Sequence, residues 1–332
     1  MKQKIYFYLI LLYFLFGAVN INQGEEINVP NYVVLSQWKL SKKEQKFNFG
    51  ILPSITVDGK GNVYISNNCF SNKYVEKFSP LGKYIDTISG SEAFLPTALA
   101  IDKEGNLYIA GAFPSDPGEF KVLWGITKFD READLITKWK LNNMKPLSFP
   151  IAVALDSEGN IYIIPAGEER IKVLVYSPTG DFLKEFGSYG ESDGQFKSPT
   201  GIAIDSKDFI YVADCGNNRI QKFTKEGKFV LKWGSKGNSL EQFNCPWGIA
   251  IDSLNNVYVT DKNNHRVQIF TEDGKFITSF GKKGKGPGEF NNPCGIAIGR
   301  DLYLDGKVIK KGYIYVADSG NSRIQVFTQL MK

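Results

Sequence analysis

The sequence predicts an all-β chain folded as a six-bladed propeller, with four antiparallel strands per blade and the ring closed by an N-terminal strand. Three observations carry this reading. One phrase recurs six times along the chain, each recurrence divides into four short apolar runs separated by turn residues, and the last recurrence stops one strand short while a matching strand stands ahead of the first. A phrase repeating at a near-fixed period outranks any local signal, and units of about 40 to 50 residues with four strands are the size of propeller blades. One or two β-sandwiches would use similar strands but would not repeat the same phrase.

Composition agrees. The chain has 332 residues, 42% hydrophobic and 23% charged, enough to bury a large core and ordinary for a folded protein. Aromatic content of 14%, with 33 Gly and a single His, suits many short strands joined by tight turns. The net charge of +5 permits an anionic partner but lacks the clustered basic footprint of a nucleic-acid binder, so nucleic acid is not the expected partner.

The N-terminus stands apart. Lys2 and Lys4 precede residues 5–19, an uncharged and almost wholly apolar run of 15 residues. That length fits the core of a signal peptide and falls short of the roughly 20 residues needed to span a bilayer. Residues 1–20 are therefore expected to be a secretory signal peptide, with a short uncleaved anchor as the alternative; 21–30 form a linker and 31–330 the propeller. Export would place the mature chain in a periplasm, outside the cell or at its surface, without a membrane span and as a monomer. Loss of Lys2 and Lys4 takes the net charge from +5 to +3.

The six units are indexed by the proline leading each first strand: Pro53, Pro96, Pro150, Pro199, Pro246 and Pro293, spaced 43, 54, 49, 47 and 47 residues apart. The apolar runs that follow are SITVD, TALAID, IAVALD, TGIAID, WGIAID and CGIAIG. Second strands follow as GNVYIS, GNLYIA, GNIYII, DFIYVAD, NNVYVTD and GYIYVAD, their Gly-Asn or Asn-Asn starts tolerating positive φ. Third strands end on an aromatic (YVEKF, GITKF, VLVY, RIQKF, RVQIF, RIQVF), and fourth strands include KYIDTI, DFLKEF, KFVLKW and KFITSF. The sixth unit ends after its third strand, and YVVLSQW at residues 32–38 resembles the fourth strands FVLKW and FITSF, so it is expected to complete the last blade and cover a frayed edge.

In such a meander the first-to-second and third-to-fourth turns share one face, the bottom, and the second-to-third turns share the top with the inter-blade links. Two units carry extra residues: 111–125 in unit two, expected on the top, and 300–311 in unit six, expected underneath.

The phrases P-x-GIAID, YVAD-x-GN-x-RIQ-x-F and GKF-x-x-x-[WF]G resemble NHL repeats, which form six-bladed propellers. The resemblance covers about residues 31–330 and is closest in units four to six. The Gly-His and Trp-Asp phrases of WD40 and kelch propellers are absent. The resemblance implies recognition of a protein, peptide or carbohydrate ligand by the top face or the channel mouth, and no cofactor. Its alternative is a metal-dependent lyase or lactonase-type hydrolase with calcium or zinc in the central channel. The related amidating lyases hold zinc with several histidines, whereas this chain has only His265. Calcium-dependent lactonase-type propellers need Glu, Asn and Asp at the channel mouth, where this chain places Ser54, Thr97, Ile151, Thr200, Trp247 and Cys294. A binding role is therefore expected over an enzymatic one.

The recurring Asp214/Arg219, Asp261/Arg266 and Asp318/Arg323 read as braces of the second-to-third turns, because a bidentate Arg suits a fixed carboxylate and an active site is not built in triplicate. His265 occupies a variable position within the same turn. Four cysteines in an exported chain make disulfides accessible; all are expected on the top face, paired Cys215–Cys245 between blades four and five and Cys69–Cys294 across the closure, with free thiols as the alternative. They lack the CxxC spacing of a zinc site. The glycine-rich residues 281–288 do not match a phosphate loop and read as an inter-blade link. Lys282, Lys283 and Lys285, with Lys236 on the neighbouring link and Trp247 at the channel mouth, are the candidate ligand-binding residues.

Overall fold

The computed structural model describes residues 32–38, 54–69, 72–88, 94–114, 122–142, 144, 148–167, 171–304 and 307–329. The expected signal segment, Pro53 and the middle of the unit-two insertion lie outside the described residues.

Six four-stranded antiparallel sheets form the blades. Blade one comprises β2 (Ile55–Val57), β3 (Val63–Cys69), β4 (Asn72–Phe78) and β5 (Tyr84–Ile88). Blade two comprises β6 (Phe94–Ile101), β7 (Leu107–Pro114), β8 (Val122–Phe129) and β9 (Leu135–Lys140), and blade three β10 (Pro150–Leu155), β11 (Ile161–Pro165), β12 (Val173–Tyr176) and β13 (Phe182–Phe186). Blade four comprises β14 (Pro199–Ile204), β15 (Ile210–Asp214), β16 (Arg219–Phe223) and β17 (Phe229–Trp233), and blade five β18 (Pro246–Ile251), β19 (Val257–Asp261), β20 (Arg266–Phe270) and β21 (Phe276–Phe280). Blade six joins β22 (Pro293–Ile298), β25 (Ile314–Asp318) and β26 (Arg323–Gln329) with β1 (Tyr32–Trp38), in the order β1-β26-β25-β22.

Sequence pattern sets the depth of each strand. The second strands read IYVAD or its variants because both faces are covered, and every residue of β11, β15, β19 and β25 is buried. Outer strands alternate, as FVLKW does in β17, because one side meets solvent. At four of the six junctions, neighbouring blades lock through an aromatic at or next to the end of the outer strand and a glycine in the next blade's third-to-fourth turn. At Gly180 (φ +92°) an added Cβ would meet the Trp139 ring, and Gly227 and Gly274 stand likewise against Phe186 and Trp233. Gly82 of blade one takes the same contact from Trp38, the last residue of β1.

In blades one to five, the first-to-second turn rests on the aspartate that follows the first strand; in blade six Gly299 stands there. Asp58 Oδ1 accepts the backbone N–H groups of Lys60 and Asn62, and Oδ2 accepts from Asn62 Nδ2 and the Tyr64 hydroxyl. Asp102, Asp156, Asp205 and Asp252 repeat the core of this arrangement. The extra residues of units two and six also take shape. Strands β7 and β8 continue their pairing to Pro114 and Val122, so the unit-two insertion begins as a lengthened hairpin. The unit-six insertion contains the two-stranded hairpin β23 (Leu302–Leu304) and β24 (Lys307–Lys310).

A candidate binding face at the channel mouth

The first strands surround a central cavity of about 350 Å³. Ser54, Thr56 and Thr200 give it hydroxyls and Trp247 an indole; the remaining lining is aliphatic side chains and glycine, with no ionisable side chain. Thr200 Oγ1 donates towards the carbonyls of Pro246 (3.0 Å) and Trp247 (3.1 Å), fixing the strand that bears the indole.

Above the cavity, the second-to-third turns are tied to the inter-blade links by one repeated device. Asp214 Oδ2 accepts from Arg219 Nε at 2.9 Å, Asn217 Nδ2 at 2.8 Å and Gln221 Nε2 at 3.2 Å, while Oδ1 accepts the Lys197 N–H at 2.7 Å. The other guanidinium nitrogens of Arg219 donate to the carbonyls of Glu191, Ser192 and Gln195. Asp261 with Arg266, and Asp318 with Arg323, reproduce the set on the next two links. Burial pushes the carboxyls of Asp214 and Asp261 up, against the hydrogen bonds that favour their anions. The donors are consumed inside the protein, which leaves these residues little capacity for a ligand.

Each of these turns ends on a left-handed residue, Asn218, His265 or Ser322. Asn218 Oδ1 accepts the Cys245 N–H at 3.0 Å, and His265 Nδ1 accepts the Asn292 N–H at 3.1 Å. The imidazole thus does an amide's work between blades five and six. Burial, then the charge of Lys283, pushes its pKa below the usual value, against Asp318 and Asp261.

Cys215 and Cys245 form a disulfide that joins the blade-four turn to the link leading into blade five, across a sequence separation of 30. The expected Cys69–Cys294 bridge is not present, because Cys294 is a free, buried thiol. The bridging half-cystine Cys245 precedes its proline, whereas Cys294 follows Pro293 and corresponds to Trp247. Its sulfur is directed to the Asn292 carbonyl at 3.5 Å, and burial pushes the thiol pKa up. Cys69 lies in β3, its side chain outside the described residues.

Lys236, Lys282, Lys283 and Lys285 are exposed on the links ahead of blades five and six. Sequence reasoning missed Lys262, whose Nζ lies 3.6 Å from the centre of the Trp247 ring. Its signal was available: Lys262 stands at the repeat position held by Cys215 and Ser319 in the adjacent units. Among the described residues no group of three or more His, Cys, Asp and Glu side chains is placed to hold a metal ion, and no helix is long and apolar enough to cross a membrane.

The NHL repeat family profile matches residues 196–223 and 243–270, the stretches carrying the first two braces. Blades four and five thus carry NHL repeats within a six-bladed propeller. A segment of 64 residues is 36% identical to Protein brain tumor of Drosophila melanogaster, covering 17% of this chain and 6% of that protein. A segment of 91 residues is 31% identical to human NHL repeat-containing protein 3, covering 26% of each. The matches thus span only a minor part of these relatives. Among solved structures, virginiamycin B lyase from Staphylococcus aureus resembles the propeller with a TM-score of 0.55 and 15% identity, over 90% of this chain and all of that one. At that identity the likeness speaks for the fold alone.

Proposed function

We propose that this NHL propeller is an exported binding module that recognises a protein, peptide or carbohydrate through its top face and channel mouth. The observation that carries the reading is the division of labour on that face. The Asp–Arg braces are spent on internal hydrogen bonds, while Lys262 rests on Trp247 at the channel mouth and the link lysines stay exposed on the adjoining links. The channel below offers hydroxyls and aliphatic surface but no side chain suited to general acid–base work at neutral pH. The Cys215–Cys245 bridge suits an oxidising compartment, and the expected signal peptide provides the route there.

The test is capture from a cell-envelope fraction by the immobilised full chain and by its Trp247→Ala variant. The reading expects a defined partner retained by the wild type and depleted with the variant. Equal retention by both, or turnover of an envelope substrate that a chelator abolishes, would overturn it.

A further inference from the structure

Three inter-blade links share one backbone design and differ in charge. Residues 187–198, 234–245 and 281–292 are folded by the same hydrogen bonds: Phe196 N–H to Ser188 O, Phe243 N–H to Ser235 O and Phe290 N–H to Lys282 O, with Gly190, Gly237 and Gly284 returning a bond to each phenylalanine carbonyl. Tyr189, Lys236 and Lys283 occupy one register in the three links, each bridging the corresponding phenylalanine. The first link carries Glu191 and Asp193 against Lys197, a net −1; the second Lys236 against Glu241, a net 0; the third Lys282, Lys283 and Lys285 against Glu289, a net +2. The shared scaffold does not require these exposed charges, so the gradient is a property of the surface.

The partners sharpen the contrast. On the first link Lys197 reaches Glu191 at 3.7 Å and Lys232 reaches Asp193 at 2.5 Å. On the third only Lys282 is paired, with Glu289 at 3.4 Å. Lys236, Lys262, Lys283 and Lys285 have no carboxylate within salt-bridge distance among the described residues. The turn bearing Lys262 ties the second and third links together: Asn264 Nδ2 donates to Gly237 O at 2.8 Å on one side, and His265 Nδ1 accepts from Asn292 N on the other. Lys262 itself rests on the Trp247 ring at the channel mouth.

We infer that this quadrant of the top face, from Lys285 and Lys283 across Lys262 to Lys236, is a subsite for an anionic polysaccharide. The inference rests on the proposed top-face recognition and names its ligand class. Negative charge on the ligand matches the unpaired lysines. A polysaccharide is favoured over an acidic peptide because the links have few main-chain carbonyls left to offer. Arg266 and Gln268 occupy those of residues 238, 239 and 242, and Arg323 and Gln325 those of 285, 286 and 289. Recognition is left to side-chain cations, which read charge rather than a peptide backbone.

The test is binding of the full chain to immobilised polygalacturonate and heparin, with dextran, poly-L-glutamate and a single-stranded oligonucleotide as the other arms. The expected result is capture by the acidic polysaccharides, none by dextran, and at least tenfold weaker binding to the peptide and the oligonucleotide. The triple variant Lys236→Gln, Lys283→Gln, Lys285→Gln should lose about tenfold in affinity, as the sum of three exposed charge contacts, with its thermal melting unchanged because all three sites are exposed. Trp247→Ala should weaken binding through loss of the support under Lys262. Unchanged affinity of the triple variant, or equal binding of poly-L-glutamate or the oligonucleotide, would overturn the inference. If no polysaccharide binds while envelope capture still depends on Trp247, this inference falls and the proposed function stands.

Discussion

Asp214 is fully buried and accepts four hydrogen bonds, one of them from Arg219, whose own remaining donors hold the preceding link. Removing one partner would leave the other buried and unpaired, the costly way to break such a pair. Arg219→Met is therefore expected to lower unfolding free energy by about 3 kcal/mol, read as a shift of the denaturation midpoint, whereas exposed Lys236→Gln should stay within about 0.5 kcal/mol. A midpoint shift for Arg219→Met no larger than that of Lys236→Gln would deny the brace its role. His265 yields a pH prediction of known sign. Its folded pKa lies below the ordinary 6.5, so the unfolded chain binds the extra proton more readily as the medium acidifies. Its contribution is complete above about pH 6.5 and is lost as pH falls through the folded pKa. His265→Asn supplies the amide acceptor that Asn218 provides one blade earlier and should flatten this acid limb in melts taken across the mildly acidic range. An unchanged slope would assign the acid loss to other groups.

At the scale of strands and links, the Cys215–Cys245 bridge closes a loop across blades four and five. For a separation of 30 residues, loop entropy predicts about 3.6 kcal/mol lost in the Cys215→Ser, Cys245→Ser variant. Reduction of the wild type should reproduce that loss in equilibrium unfolding, while Cys294→Ser should not. How much of this was legible follows from which signals are periodic. The strands and the Asp–Arg turns recur in the sequence, so aligning the units displayed both. The Cys215–Cys245 pairing was legible because one residue follows the second strand of blade four and the other precedes the proline entering blade five, so both fall on the top face of neighbouring blades. The Cys69–Cys294 pairing failed because a two-residue offset around a proline moves a side chain from the link to the strand, which a face assignment cannot resolve. The aspartates that follow the first strands were visible as letters of the repeat. Their service as acceptors for a turn and a tyrosine emerges only when the second strand folds back. Lys262 was missed because its importance comes from Trp247, 15 positions earlier, brought beneath it by the turn.

Over the whole molecule, stability depends on every blade finding a neighbour on both sides. Trp139, Phe186 and Trp233 each seat on a glycine of the following blade, and Trp38 seats on Gly82 although it belongs to a strand at the opposite end of the chain from its sheet partner β26. At this junction β1 completes blade six and closes it against blade one. Within blade six, Arg323 Nη1 adds a contact between β26 and β1, donating to Gln37 Oε1 at 2.7 Å. Truncating Trp38 to Ala should therefore cost as much as truncating Trp233, about 3 kcal/mol, the lower end for a large aromatic because both rings are partly buried. Deleting residues 31–40 should cost more, because it also strips β26 of its partner and exposes a strand edge. Side-by-side melts of the two alanine variants and the deletion decide the matter. A melting temperature unaltered by the deletion would mean that the ring holds without its N-terminal strand. Equal losses for Trp38→Ala and Trp233→Ala would mean that the seam joining the chain's ends is as strong as a junction within continuous sequence.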